Sequence, residues 1–222
     1  MRLEVDHPGE GSSWVLDREL CLHFTNTVEW RGSEKPDERL NGYSDLARWG
    51  REQGLLSEGE AEDLLAVAQG SLERAAEVLG QAIALREAIY RIFSAAHAGR
   101  SSAAEDLALL NSFCARAVAD SRIRATAEGF ARSFSIGEGC LERPLYPVAI
   151  SALDLLFHGD LTRVKPCSDR TCGWLFYDKS RNKSRCWCAM ESCGNRAKAR
   201  RHYQRVRGQA GQASAGGAAP EA

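Results

Sequence analysis

From Ser71 to Ala98, apolar residues recur at Leu72, Ala76, Leu79, Ile83 and Tyr90, with Ala75, Ala82, Ile89 and Phe93 alongside. This period near 3.6 predicts one long core helix. Other helices are expected around it. Apolar residues are dense from Trp14 to Trp30 and predict a helix with Asp17 near its start, although Thr25, Thr27 and Val28 also suit a strand. Ser44 to Gln53 presents Leu46 and Trp49 and is ended by Gly54. Ser57-x2-Glu60 reads as a capping box for a short helix through Ala68. Ser102-x2-Glu105 opens another, with Leu107, Leu110, Cys114 and Val118 on one face. Pro147 suits the first turn of a helix carrying Val148, Ala152, Leu155 and Leu156 up to Gly159. Only from Arg122 to Ile136 does the period change. Phe130, Arg132, Phe134 and Ile136 alternate there around Glu128-Gly129, which predicts a β-hairpin. Residues 14–160 therefore read as a mostly α (α+β) domain with one small hairpin, preceded by a polar, mobile lead over residues 1–13.

Residues 161–207 follow another logic. Cys167, Cys172, Cys188 and Cys193 read C-x4-C, fifteen residues, C-x4-C. Two short chelating loops joined by a spacer long enough to fold back are what a closed tetrathiolate zinc site requires. Cys186 is an alternative to Cys188, but two equal loops favour Cys188, and Cys186 falls in a presumed strand where a thiol packs as a small apolar side chain. The spacer predicts a hairpin: a strand at Trp174-Leu175-Phe176-Tyr177, a polar turn over Asp178 to Lys183, and a return strand at Arg185-Cys186-Trp187. Asn195 is placed to N-cap a basic helix from Arg196 to Arg207. Knuckle, hairpin, knuckle and helix make a treble-clef-like finger. The Gly, Gln, Ala and Ser of residues 208–222 predict a disordered tail.

Cys167-x4-Cys172-Gly173-Trp174-x-Phe176-x-Asp178-x-Ser180-Arg181-Asn182, followed by Trp187-Cys188-x-Met190-x2-Cys193-Gly194-Asn195-Arg196, resembles the CGNR zinc finger. The upstream run Leu20-Cys21-Leu22-His23-Phe24-Thr25-Asn26-Thr27-Val28 resembles the opening of the ABATE domain, which precedes this finger in bacterial stress-induced transcription regulators. His23 and Cys186 depart from the pattern, standing where it has an acidic and a basic residue. The resemblance implies one structural Zn2+, DNA binding and transcriptional regulation.

Charge sharpens this picture. The net charge of −1 hides a basic segment: residues 161–207 hold thirteen Lys and Arg against Asp169, Asp178 and Glu191, a balance of +10, leaving −11 for the rest. A basic module on an acidic body points to a polyanion partner at one end. No run of about eighteen apolar residues suggests a membrane span, and Met1 to Asp6 lacks the apolar core of a signal peptide, so cytoplasm is the expected compartment. Reducing conditions there favour a metal site over disulfides. Cys21 and His23 invite a nucleophile-and-base reading, but side chains two apart on a helix diverge and no third orienting group is apparent. Core cysteine and satisfied histidine are the better reading. With no phosphate-cradling loop and no paired-His metalloprotease motif, enzyme function has no positive support.

The expected protein is a zinc-finger regulator of duplex DNA, its helical domain open to a small-molecule effector. Arg196, Arg200, Tyr203 and Arg207 form one stripe along the final helix and are the candidate groove-facing residues. Arg181, Lys183 and Arg185 on the hairpin are candidate phosphate contacts. RNA or single-strand binding, with Trp174, Tyr177 and Trp187 as stacking platforms, is one alternative. A zinc-stabilised protein-interaction module gripping an acidic partner is another.

Overall fold

The long 3.6-period stretch forms the central helix, and the other elements gather around it. The computed structural model describes residues 17–127, 129–134 and 139–215. In chain order the elements are α1 (Leu20–Thr25), β1 (Val28–Glu29), β2 (Asp37–Glu38), α2 (Tyr43–Glu52), α3 (Glu58–Gly70), α4 (Leu72–His97), α5 (Ala104–Ala119), β3 (Ser121–Thr126), β4 (Gly129–Phe134), α6 (Leu145–His158), β5 (Val164–Pro166), β6 (Leu175–Tyr177) and α7 (Asn195–Ala215). The strands form three separate antiparallel pairs, β1 with β2, β3 with β4 and β5 with β6. The lead expected over residues 1–13 lies outside the described residues. No described helix is long and apolar enough to cross a membrane.

α4 touches α1, α2, α3 and α5, and α6 closes the bundle against α1 and α5. The buried face of α4 follows the flanking set Ala75, Ala82, Ile89 and Phe93 of the predicted pattern, not the stripe through Leu72 and Ala76. Ala75, Val78, Ala82, Leu85, Ile89, Ile92 and Phe93 are buried, whereas Leu72 is 74% exposed. The small Ala75 and Ala82 lie on this packed face.

Local signals set several boundaries. Ser57 and Glu60 form the predicted reciprocal cap, and α3 runs on to Gly70. Gly54, at φ +69, ends α2 in a conformation glycine adopts without strain. The box expected at Ser102 does not form; Ala103 precedes α5 without a side-chain cap. On α5 the buried apolar residues are Leu110, Phe113, Cys114 and Ala117, while Leu107 and Val118 face solvent. α1 is far shorter than the predicted Trp14–Trp30 helix. The hydroxyls of Thr25 and Thr27 donate back to Leu22 O and Phe24 O, and the chain turns into β1. The predicted hairpin is present, in register from Ser121↔Phe134 to Thr126↔Gly129.

Asp106 ties α5 to α4. Its buried carboxylate accepts from Arg91 Nε at 3.1 and 2.9 Å and from Nη2 at 2.5 Å. The Arg91 bonds hold its pKa below the usual carboxylate value. A depressed folded-state pKa contributes stability that is complete above the unfolded value of about 4 and fades as pH falls below it. Asp106→Asn should therefore melt at a lower temperature than the parent at pH 7, with the gap narrowing between pH 4 and 3. A gap independent of pH in thermal melts would refute the assignment.

Candidate metal centre and nucleic-acid interface

The first chelating loop grows out of β5 and β6, which pair Val164↔Tyr177, Lys165↔Phe176 and Pro166↔Leu175. Cys167 N–H donates to Trp174 O at 2.8 Å and closes the knuckle between them. The partner of residues 175–177 is thus the stretch before the first ligand, not the predicted return strand at 185–187. Asp178 explains the difference. Its buried carboxylate accepts from Lys165 Nζ at 2.8 Å, Ser180 N–H at 2.9 Å and Arg185 N–H at 3.0 Å. Cys186 O in turn accepts from Ser168 N–H at 2.8 Å, so residues 185–187 cross to the first knuckle instead of joining a ladder.

The second loop ends in a π-turn over Met190–Gly194 that runs directly into α7. Asn195 is the first residue of that helix. Its Nδ2 donates to Glu191 O at 3.0 Å, so it is not the expected capping acceptor. α7 also continues past Arg207 to Ala215, where a tail had been expected. Extending an existing helix needs no new nucleus, and the Ala and Gln residues there offset two glycines at about 1 kcal/mol each. Residues 216–222 lie outside the described residues.

The two loops bring together the Sγ atoms of Cys167, Cys172, Cys188 and Cys193, all within 4.8 Å of one another. Cys172 to Cys188 is 3.7 Å and Cys188 to Cys193 is 3.6 Å. A tetrahedral zinc with bonds of 2.3 Å spaces its sulfurs about 3.8 Å apart, so the four fit that ion. Cys186 stands apart: it is exposed, and its thiol donates to Ser184 O at 3.3 Å.

Arg196 Nη2 donates to Cys193 Sγ at 2.8 Å. Hydrogen bonds from Cys172 and Cys188 pull the Cys167 pKa far down, and the same sharing pushes Cys172 up to about 12 and Cys188 up as well. Four sulfurs this close cannot all ionise without a cation between them. Zinc supplies that charge, and a closed four-thiolate shell makes it structural.

Asp169 anchors the basic helix to the first knuckle. Burial alone would raise its pKa, but donation from Arg196 Nε at 2.9 Å and from Thr171 holds it below the usual range. Arg200 Nη2 reaches its other oxygen at 3.2 Å. The Arg196 guanidinium also lies 4.5 Å from the centre of the Trp30 ring, in cation–π geometry.

Residues 163–206 match the model of the CGNR zinc finger, and residues 18–159 match ABATE, the family described as "Putative stress-induced transcription regulator". The latter match spans more than half of the chain. The chain belongs to the ABATE family. No curated protein matches it.

The CGNR finger is seated on the ABATE domain. The Asn26 amide donates to Leu175 O at 2.8 Å and accepts from Leu175 N–H at 3.1 Å. Trp174 Nε1 donates to Val28 O at 2.9 Å, and Arg31 N–H donates to Cys172 O at 3.1 Å. Gly173, at φ +70, lies where a side chain would meet Arg31 Cβ at 2.8 Å, so the crossing requires glycine. Val164 and Leu175 are part of the main hydrophobic core.

The candidate nucleic-acid residues separate into two groups. Arg196 is spent on Asp169, Cys193 and Trp30, and Lys183 pairs with Asp160 Oδ2 at 2.8 Å and Thr162 Oγ1 at 2.7 Å. Arg185 is exposed but bonds Trp187 O at 2.8 Å and Cys188 O, with its guanidinium 4.9 Å from the Phe176 ring centre. Arg181, Arg200, Tyr203 and Arg207 are exposed. Of the proposed stacking platforms, Trp174, Tyr177 and Trp187 are all partly buried against the two cores. Lys198, Arg201 and Arg205, exposed as well, lie on the opposite side of the helix from the Arg196–Arg200 stripe. Cys21 is fully buried, which pushes its thiol up to about 12, and His23 faces solvent, so the two form no catalytic pair.

Proposed function

We propose that this zinc-finger regulator binds duplex DNA through α7, by recognition and not catalysis. The observation that carries the reading is the helix itself. Every residue from Lys198 to Arg205 is exposed, and five of the eight are Lys, Arg or His. A helical stretch with no packed face from Lys198 to Arg205 gains little from its own chain and is suited to an external partner. At about 1.5 Å per residue its 21 residues span roughly 31 Å, enough to lie along a major groove. Asp169, Arg196 and the zinc fix its base, so Lys198, Arg201 and Arg205 point away from the finger. The packed state of Trp174, Tyr177 and Trp187 weighs against stacking on single strands. An effector of the ABATE domain has a seat in a cleft of about 360 Å3 beside the finger, lined by residues that include His23, Glu29, Arg48, Trp49 and Trp174.

Fluorescence anisotropy against duplex, single-stranded and RNA oligomers over a salt series tests this reading. Duplex should bind best, with log affinity falling linearly with log salt. Arg201→Ala and Arg205→Ala should each weaken duplex binding and lower the salt slope by about one if they meet phosphate, or cost roughly 1–3 kcal/mol at a preferred site if they meet bases. Arg196→Ala should instead loosen α7 on the finger and weaken every sequence. Absence of duplex binding at low salt would reject the reading in favour of an acidic protein partner.

A further inference from the structure

Beside the zinc ligands lies a second, smaller cleft of about 180 Å3, walled on one side by Glu29 and Trp30 of the ABATE domain. Its other wall is the finger: Cys172, Trp174, Cys188, Ser192, Cys193 and Arg196. Three of the four ligand thiols therefore border a space large enough for a small solute, although the cluster is otherwise enclosed. They are not equivalent. Cys167, Cys172 and Cys193 are 7%, 6% and 2% exposed, whereas Cys188 is only partly buried. Nitrogen donors also serve the thiols unequally. The Arg196 guanidinium donates to Cys193, its Nη2 lying 2.8 Å from that sulfur. Cys188 Sγ lies 3.7 Å from Cys172 Sγ and 3.6 Å from Cys193 Sγ.

N–H donation draws electron density off a thiolate and lowers its nucleophilicity, and enclosure keeps reagents away. Cys188 is the least enclosed of the four, and the Arg196 guanidinium serves Cys193 instead. We propose that Cys188 is an oxidative modification site whose thiolate attacks hydrogen peroxide entering the cleft between Trp30 and the finger. The Cys188 thiolate displaces at one peroxide oxygen; an S–O bond forms, the O–O bond breaks, and the leaving hydroxide takes a proton from solvent as water. The resulting sulfenic acid is then attacked at sulfur by Cys172 or Cys193, 3.7 and 3.6 Å away. An S–S bond forms and the second oxygen leaves as water after protonation. Two thiolates lose two electrons and the peroxide gains them. The cluster then keeps only two thiolate ligands, too few for a closed zinc site. Since Cys188 and Cys193 frame the turn that leads into α7, the basic helix loses its anchor in the same event.

The test uses the full-length zinc-loaded protein, hydrogen peroxide as probe, a chromogenic chelator to time zinc release, and dimedone trapping with differential alkylation to locate the oxidised sulfur. None of these readouts needs nucleic acid, so the result stands apart from the DNA-binding reading. The first modified residue should be Cys188, in step with zinc release. C186S should release zinc at the parental rate, because that exposed thiol lies outside the cluster. Trp30→Gly removes a wall of the cleft while suiting the positive φ of 54° at that position, and should speed release threefold or more. Dimedone on Cys186 before any zinc loss, abolished release in C186S, or an unchanged rate in the Trp30 variant would each overturn the proposal.

Discussion

Removing zinc will unfold residues 163–206 and lower the melting temperature of the ABATE domain without abolishing its fold. The first part follows from the size of the finger. Its private core is little more than the cysteine cluster with Trp174 and Trp187 around it, and β5 and β6 are three residues each. Such a module relies on its metal, which supplies roughly 10–16 kcal/mol of apparent binding free energy in small fingers. The second part follows from the joint. Val164 and Leu175 are essentially inaccessible and belong to the main core, so a melted finger withdraws two large side chains from it. Burial of each contributes about 1.5–3 kcal/mol, and in a domain of this size 1 kcal/mol moves the melting point by about 2–4 °C. Calorimetry before and after chelation should show the high-temperature transition move down by several degrees, while hydrogen exchange reports loss of protection in the finger alone. A metal-free finger that keeps its protection, or metal analysis finding no zinc in protein prepared without chelator, would refute the assignment.

Legibility from sequence tracked how local the cause is. The C-x4-C spacing located all four metal ligands because a chelating loop is a local object. Ser57 and Glu60 announced a helix start for the same reason, and so did the alternation around Gly129 for the hairpin. Failures begin where a side chain acts across the fold. Residues 185–187 carry an apolar, strand-like pattern, but Asp178 takes the Arg185 N–H that a ladder would have used. Arg196 reads as one more basic residue on a basic helix. Only the folded knuckle shows that a buried Asp169 and the ring of Trp30, 166 positions earlier in the chain, hold its guanidinium. The choice of face on α4 has a similar origin: the flanking alanines Ala75 and Ala82 are buried, while the larger Leu72 is exposed.

Arg86 is the largest such omission, and replacing it with leucine should cost roughly 1–3 kcal/mol, the range for hydrogen-bonding groups left without their partner, since the Glu38 side chain it leaves behind is 34% exposed. It sits on the buried side of α4 with 2% of its surface exposed. Its guanidinium donates to both oxygens of Glu38 at 2.7 and 2.6 Å, to Glu87 Oε1 at 2.9 Å and to Thr27 Oγ1 at 3.1 Å. Leucine would leave Glu38 without its bidentate partner, while Glu87 keeps Arg31 through contacts of 2.5 and 3.0 Å. The damage should therefore spread from the Glu38 side, through the β1–β2 segment that carries Val28 and Trp30 to the finger. Urea unfolding of Arg86→Leu should show this loss, and zinc should leave that variant faster than the parent. Replacing Glu38 with leucine as well removes the orphaned carboxylate and should restore a substantial part of the stability. A double variant as unstable as the sum of the two single ones would show that Arg86 acts by packing its stem, and that the ion pair itself does not tie the loop to the helix.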